Sequence, residues 1–193
     1  MTAPEAPRLV RGPCHQPLRV VAIGTVPPDV MERAAAVARE VLGFASYISA
    51  QTVPPDPFLD PRRQQYRADR LLADIKGLAR QEHEVVLGLT GVDLFLPVLT
   101  FVFGSAELAG KAAVMSVHRL DPRYNGFPDD PGITLERAEK EVLHELGHVL
   151  GLTHCPNRAC VMASAHDIGE IDIEEPSFCR DCRTLIGPCP GHP

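Results

Sequence analysis

The sequence predicts an α/β fold (α+β in arrangement), with helices packed on a mixed, twisted sheet and a small irregular lobe at the C-terminal end. Three observations support this prediction. Short β-branched runs alternate with helical patterns in the first half of the chain, as in βαβ units. A long amphipathic helix is predicted at 133–152. Beyond residue 151 the periodicity fades, and five of the six cysteines lie there.

The first elements alternate between strand and helix. The valine-rich run at 18–26 ends at two prolines and predicts a buried strand. Apolar positions with helical spacing at 28–43 predict a helix, and Gly43 stands where a C-cap is expected. The segment 45–53 predicts a second strand that ends in a Pro-rich breaker. A polar helix is expected over roughly 64–82.

The middle of the chain predicts three further strands. The apolar run at 84–95 completes the βαβαβ order and indicates a mixed or parallel sheet. The segments 97–104 and 111–120 are separated by a short Gly-containing link, which favours two neighbouring antiparallel strands. A loop rich in Pro, Gly and Asp comes next, at 121–132, and leads into the long helix.

Composition restricts the classes of protein that this chain can be. A length of 193 residues suffices for one domain with its own core, and 45% hydrophobic with 23% charged residues is typical of a globular protein. The formal net charge of -6 gives no electrostatic reason to expect a nucleic acid or an anionic membrane as partner. The absence of Trp and the aromatic share of 5% argue against a surface that stacks bases or sugars.

The expected location of the protein is consistent with the expected chemistry of its cysteines. The N-terminal segment is broken by prolines and lacks the apolar run of a signal peptide, and no stretch is apolar for long enough to span a bilayer. We therefore expect a cytoplasmic monomer without a membrane partner. Because thiols stay reduced in the cytosol, the cysteines are expected to be metal ligands instead of disulfides.

The expected domain organisation is simple. We predict a single domain over 18–186, with an upper lobe at 18–150 and a lower lobe at 151–186. A flexible N-terminal segment, 1–17, precedes this domain, and a C-terminal tail, 187–193, succeeds it.

The long helix carries a pattern of metal ligands, HELGHVLGLTH. His144 and His148 are four residues apart and so share one face of the helix, close enough to hold one ion. Gly151 suits the C′ position and allows a sharp turn that returns His154 to the same ion. Glu145 is placed to reach a water on that ion without ligating it. Three protein ligands leave a fourth position open, which is the catalytic arrangement for zinc.

Two further residues of this helix are informative. Thr134 is expected to be the N-cap. Gly147 in the helix interior costs about 1 kcal/mol relative to Ala, which suggests that a larger side chain is not tolerated there. Pairs of histidines four apart occur on helices by chance, but the full pattern H-E-x-x-H-x-x-G-x-x-H is too specific for that explanation.

The cysteines predict a second, separate metal site. They form C-x4-C followed by C-x2-C, spacings that supply the four thiolates of a closed zinc site: Cys155, Cys160, Cys179 and Cys182. Free buried thiols or a redox C-x-x-C pair are the alternatives, but the second pair lacks the strand-to-helix setting of a redox motif. Consecutive side chains diverge, so His154 and Cys155 can face different ions. A structural zinc gives the lower lobe, which has few large apolar residues, a reason to fold.

The histidine motif, together with the segments CPNRACVM and CRDC on its C-terminal side, resembles the archaemetzincin branch of the metzincins. The resemblance is strong from 98 to 185. It implies a metzincin-like zincin fold with a cleft between two lobes, a zinc-dependent peptidase activity of the aminopeptidase type on small peptides, and a Met-turn at Met162 beneath the histidines. It also implies that the strand at 97–104 pairs with the substrate backbone. The oxyanion tyrosine of some metzincins is missing, because no Tyr occurs after Tyr124.

The sequence therefore predicts a zinc metallopeptidase with two zinc ions, one catalytic and one structural, and Glu145 as general base. A protein that retains the site but only binds metal or peptide is the main alternative, although a binder has no need of a general base. A zinc ribbon for nucleic acid disagrees with the acidic charge. Four residues are assigned to no site: Cys14, His118, His166 and Cys189.

Overall fold

The computed structural model describes residues 15–187. The expected flexible segment 1–17 lies outside these residues except for its last three positions, as do Cys14, Cys189 and all of the expected tail except Gly187. The division of the chain into lobes at residue 151 stays a prediction.

The described chain contains eight strands and five α-helices. The strands are β1 (Pro17–Ile23), β2 (Ala45–Val53), β3 (Leu59–Asp60), β4 (Gln65–Arg67), β5 (Val85–Thr90), β6 (Leu94–Phe95), β7 (Gly104–Ala106) and β8 (Ala112–Ser116). The helices are α1 (Pro28–Leu42), α2 (Ala68–Lys76), α3 (Pro131–Val149), α4 (Ile168–Ile173) and α5 (Arg180–Ile186). Short 3-10 turns lie at Asp56–Phe58 and Pro122–Asn125.

Five strands form the main sheet in the order β2-β1-β5-β8-β7. The first four are parallel to one another, and β7 is antiparallel to β8, so that the predicted mixed sheet is confirmed. Strand β7 is short and lies at the edge of this sheet. Three very short strands, β3, β4 and β6, form a second small sheet.

Helices cover both faces of the main sheet. Successive residues of a strand point to opposite faces, and Val20 of β1 accordingly belongs to a different core cluster from Val21. The cluster of Val20 includes apolar residues of α1, α3 and the lower lobe, whereas that of Val21 includes Leu71 and Ile75 of α2. One face of the sheet therefore supports α3, the helix that carries the histidines.

The structure corrects four predicted boundaries. The predicted strand at 97–104 is irregular until Gly104. Val102 makes an isolated bridge to β6, and the Phe103 carbonyl accepts a hydrogen bond from the Ser116 N–H. The predicted strand at 111–120 ends at Ser116. The polar helix at 64–82 shortens to α2, because its first residues pair as β4 in the small sheet.

The fourth correction is the start of α3. Asp130, and not Thr134, is the N-cap, and its side chain accepts a hydrogen bond from the Ile133 N–H at 3.1 Å. The helix starts at Pro131, two residues before the predicted start at 133, because proline suits a first-turn position, where a missing N–H costs nothing.

The segment 151–186, the predicted lower lobe, is more ordered than its sequence indicates. It contains α4 and α5, which were not predicted, and its buried side chains Val161, Met162 and Phe178 join the core cluster of α3. No helix within residues 15–187 has the length and apolar character needed to cross a membrane.

Candidate active site and metal centres

The three histidines of the motif come together at the end of α3. Gly151 lies just beyond the last turn with a φ of 91°, a backbone conformation that glycine adopts readily, and the chain reverses there. One ligand nitrogen from each of His144, His148 and His154 lies within 4.8 Å of the other two. The turn at Gly151 was predicted from sequence, and its effect on His154 is the one expected.

Backbone carbonyls orient two of the imidazoles. The Nδ1 of His144 lies 2.8 Å from the Val161 carbonyl oxygen, and the Nδ1 of His148 lies 2.8 Å from that of Leu152. A carbonyl only accepts, so each Nδ1 carries a proton and donates it, which leaves each Nε2 with its lone pair. Those two Nε2 atoms face each other at 3.0 Å.

This arrangement fits a zinc ion. Tetrahedral ligand nitrogens at the usual zinc distance are about 3.3 Å apart, close to the 3.0 Å between the two Nε2 atoms. Burial, with the neighbouring His148, lowers the pKa of His144 to about 3. Burial also lowers the pKa of His154. The rings of His144 and His154 are therefore neutral near pH 7, the form that binds metal. The carbonyl partners of His144 and His148 match the usual surroundings of a metal-bound histidine.

Glu145 lies beside the histidines in an almost closed environment. Its side chain is 4% exposed, and its Oε2 is the one buried side-chain oxygen or nitrogen among residues 15–187 that lacks a hydrogen-bond partner. Burial, with the charge of Glu141, raises the pKa of Glu145 well above its ordinary value. A carboxyl group that is unsatisfied in this way is poised to accept a proton or a hydrogen bond from a molecule that enters the site.

Gly104 makes room for this carboxylate. A Cβ atom at position 104 would overlap Glu145, with its Cδ only 2.7 Å away. The first residue of β7 thus has to be small for Glu145 to occupy its place. The sequence shows no local sign of this requirement, because the two residues are far apart in the chain.

The site opens into a cleft of about 700 Å³. One wall is formed by 96–106, which includes the edge strand β7, and the opposite wall by Thr153, His154 and 164–166. The floor is the face of α3 that carries Glu141, His144, Glu145 and His148. A cleft of this volume is typical of sites for small ligands and short peptides.

The four cysteines of the lower lobe form a separate group. Their sulfur atoms all lie within 4.8 Å of one another, with 3.8 Å between Cys155 and Cys179 and 3.8 Å between Cys160 and Cys182. Tetrahedral zinc with thiolate ligands requires sulfur separations of about 3.8 Å. The Cys182 backbone N–H lowers the pKa of Cys179 to about 7, whereas burial raises the pKa of Cys160 and of Cys182. The residues present therefore fit a structural zinc.

A three-residue segment connects the two groups. Cys160 contributes to the sulfur group, and the carbonyl of Val161 orients His144. Met162 is fully buried, and its sulfur occupies the space that a side chain at position 147 would need. This contact is the physical reason for the glycine in the helix, and it places Met162 against α3 between His144 and His148. The Met-turn role that the resemblance implies stays a prediction.

Comparison with known proteins identifies the family. The model of "Peptidase family M54" matches residues 33–187. The chain belongs to peptidase family M54. An archaemetzincin from Methanopyrus kandleri is 43% identical over 148 residues, covering 76% of this chain and 80% of that relative. The predicted membership of the archaemetzincins is confirmed, and M54 homologues are zinc metalloproteases.

Solved structures agree with this assignment. The crystal structure of the M. kandleri archaemetzincin has a TM-score of 0.76 at 38% identity and covers 89% of this chain and 93% of its own. A zinc-dependent peptidase from Methanocorpusculum labreanum has a TM-score of 0.79 at 26% identity and covers 88% of this chain and all of its own (100%). The predicted α/β fold with a mixed sheet is therefore confirmed, and archaemetzincin structures match it closely.

Sequence reasoning missed four features of the M54 site. They are the carbonyls that orient the histidines, the small residue required at Gly104, the carboxylate of Glu141 in the cleft, and the cleft position of His166. Of these four, only the position of Glu141 could have been predicted from the sequence. It lies three residues before His144 and therefore on the same face of the helix.

Proposed function

We propose that this chain is a zinc-dependent peptidase that hydrolyses small peptides in the cleft above α3. The catalytic zinc ligands are His144, His148 and His154. The observation that carries the proposal is the unsatisfied, buried carboxylate of Glu145 beside three converging imidazoles. A protein that only binds metal gains nothing from a buried carboxyl group without a partner, because such a group costs stability.

Each side chain has a definite task in this proposal. When bound, zinc supplies Lewis-acid chemistry that polarises a peptide carbonyl and acidifies water. Glu145 accepts the proton of the attacking water and later donates it to the amine that leaves. The raised pKa of Glu145 suits this role, since the group must hold the proton between the two steps.

The substrate backbone is expected to lie along β7. This strand ends the main sheet, lines the cleft, and starts at the glycine that contacts Glu145. An extended peptide that pairs with β7 as an added strand brings its carbonyl groups to the histidines. Aminopeptidase-like specificity is part of this proposal, and a small peptide substrate fits the size of the cleft.

A second zinc ion, held by the four cysteines, is proposed to be structural. All four available ligand positions are then thiolates, so no position remains for a substrate. Sulfur separations of 3.8 Å support this assignment. The described cysteines are free thiols close together, which also supports the proposed cytoplasmic location. We propose that the active form is a monomer.

The central experiment compares the wild-type protein with Glu145→Gln. The substitution keeps the shape of the side chain but removes its ability to take a proton, so peptide hydrolysis should fall by about 10²-fold or more. Zinc content and thermal unfolding should stay unchanged, because Glu145 ligates no metal. Hydrolysis is measured as new amino termini released from a small peptide library.

The matched control is His148→Ala, which should lose one zinc ion and spare the cysteine site. Equal cleavage by the wild type and Glu145→Gln would disprove the mechanism. A wild-type protein with both zinc ions that cleaves no peptide would instead favour the non-catalytic binding protein.

A further inference from the structure

One buried acid of the cleft has no task in the proposed mechanism. Glu141 is 5% exposed and lies on α3 four residues before Glu145, on the same face of the helix. It lines the cleft together with Glu145 and the histidines. Its position is just over one helical turn, roughly 6 Å along the axis, from the proposed general base.

The carboxylate of Glu141 lacks a partner within the described chain. No side chain or backbone group of residues 15–187 forms a hydrogen bond or an ion pair with it, although neighbouring acids on α3 are paired: Glu136 with Lys140, and Glu139 with Arg33. A buried carboxyl group without a partner is costly, and proteins retain one mainly where a ligand supplies the missing partner. The group therefore has no partner within residues 15–187, and it lines the cleft.

The charges around Glu141 are all of one sign. Burial, with the charge of nearby Glu174, raises the pKa of Glu141 to about 8. Apart from the histidines, the charged side chains among the described residues that line the cleft are Glu141 and Glu145, and no Lys or Arg lines it. Lys140, the nearest cation in sequence, points elsewhere, with its Nζ 3.2 Å from the Ile171 carbonyl oxygen and 3.0 Å from Glu136.

We propose that Glu141 is a specificity residue, which binds a cationic ammonium or guanidinium group of the peptide substrate. This inference rests on the proposed function and deepens it. Two sources carry the required chemistry: the α-ammonium of the peptide, which is two bonds from its first carbonyl carbon, and the side chain of a Lys or Arg. Binding of the first makes the enzyme an aminopeptidase, and binding of the second makes it selective for basic residues.

Peptide binding to the zinc-loaded Glu145→Gln protein tests this proposal without turnover. The probes are a tetrapeptide amide that has a free amino terminus and only uncharged side chains, its N-acetylated form, which is neutral, and N-acetylated amides with one Lys at each position in turn. Isothermal titration calorimetry gives each dissociation constant. At least one cationic peptide should bind about tenfold or more tightly than the neutral one, which corresponds to about 1.4 kcal/mol.

Adding Glu141→Gln should abolish this preference and leave the affinity for the neutral peptide unchanged. Glu32→Gln is the matched control, because it removes one exposed carboxylate of α1 outside the cleft and should keep the preference. Which cationic peptide gains affinity distinguishes the amino terminus from a basic side chain.

Three results would overturn the proposal: a preference that survives Glu141→Gln, no preference in the parent protein, or no binding of any probe. Survival of the preference together with altered unfolding would show that Glu141 only forms a structural acid pair with Glu174.

Should Glu141→Gln fail to fold, Glu141→Asp is the second variant, because it withdraws the carboxylate by one methylene. An undiminished preference in Glu141→Asp would count against the proposed role. Hydrolysis by the wild type is assayed separately, so a charge preference without cleavage contradicts only the proposed peptidase function.

Discussion

Gly147 shows how a single contact reverses the expectation from helix propensity. Replacing an interior helix glycine with alanine normally stabilises a helix by about 1 kcal/mol. At position 147, however, the new Cβ would overlap the sulfur of the fully buried Met162 and lie 3.2 Å from the Phe178 ring. Overpacking of this kind costs about 1–3 kcal/mol. We therefore predict that Gly147→Ala lowers the free energy of unfolding, measured by denaturant titration.

A double-mutant cycle checks the cause of that loss. In a Met162→Ala background the space beside position 147 is empty, so Gly147→Ala should cost less there than in the wild-type background. Equal costs in both backgrounds would mean that the contact with Met162 is not responsible.

At the scale of elements, the irregular wall at 96–103 is held by two arginines. Arg63 donates from Nη2 to the Leu99 and Thr100 carbonyl oxygens at 2.9 and 2.7 Å. Arg119 donates from Nε and Nη2 to the two carboxylate oxygens of Asp93 at 2.6 and 2.7 Å. Its guanidinium also lies 4.0 Å from the centroid of the Phe101 ring, which lines the cleft. The arginine thereby attaches a segment without regular hydrogen bonding to the body of the protein.

We predict that Arg119→Lys raises the KM for peptides several-fold and leaves zinc content unchanged. A lysine ammonium cannot donate to both carboxylate oxygens of Asp93 in the same way, and it cannot stack flat on the Phe101 ring. The wall therefore loses one of the contacts that hold it in place. Steady-state kinetics measures the effect. Arg123→Lys is the control, because Arg123 pairs with Asp121 but its side chain is 63% exposed and lies outside the cleft. The same increase in both variants would argue against a specific role for Arg119.

The lower lobe is the second element whose order depends on a few atoms. Replacing Cys179 with Ser removes one of four thiolates, and the binding energy of a structural metal is folding energy. We expect Cys179→Ser to lower the melting temperature and the zinc content. Backbone amide hydrogen exchange should become faster beyond residue 151. Peptidase activity should fall indirectly, because the Val161 carbonyl orients His144.

Arg180→Ser, at the exposed neighbouring position, is the control and should leave zinc content and exchange unchanged. Full stability and two zinc ions in Cys179→Ser would contradict the structural assignment.

For the whole molecule, buried acids predict a dependence of stability on pH. Burial raises the pKa of Glu174 to about 8, from an ordinary 4.5. Between these values the folded state holds a proton that the unfolded state has lost, so this contribution to stability is present at low pH and disappears as pH rises through 8. The free energy of unfolding should fall by on the order of 1 kcal/mol between pH 6.5 and pH 8.5.

Glu174→Gln should reduce this fall, and urea titrations at the two pH values measure it. Histidine ionisation opposes the effect only below about pH 6.5, the ordinary pKa of the group, so the chosen window avoids it. Glu175→Gln, at an exposed position, controls for loss of a charge. A pH dependence that is identical in Glu174→Gln and the wild type would assign the effect to other groups.

Patterns that are local in the chain could be predicted from the sequence. His144 and His148 share a face because a helix repeats every 3.6 residues, and Gly151 marks the turn that returns His154. The pairs at Cys155 and Cys160 and at Cys179 and Cys182 are predicted from spacing in the same way. Strands β1 and β2 and helix α1 were predicted closely, since apolar periodicity records which face of an element is buried.

Only the tertiary structure decided the features that join distant parts of the chain. Gly104 meets Glu145 across the cleft, Val161 orients His144, and Arg119 holds the wall that the sequence suggested was a strand. These contacts depend on how the sheet, α3 and the lower lobe pack against one another, and residue spacing carries no record of that packing. The sequence by itself therefore determined the family, the fold class and the candidate ligands. The packing of the lobes decided which groups orient those ligands, and why Glu141 faces the cleft without a partner.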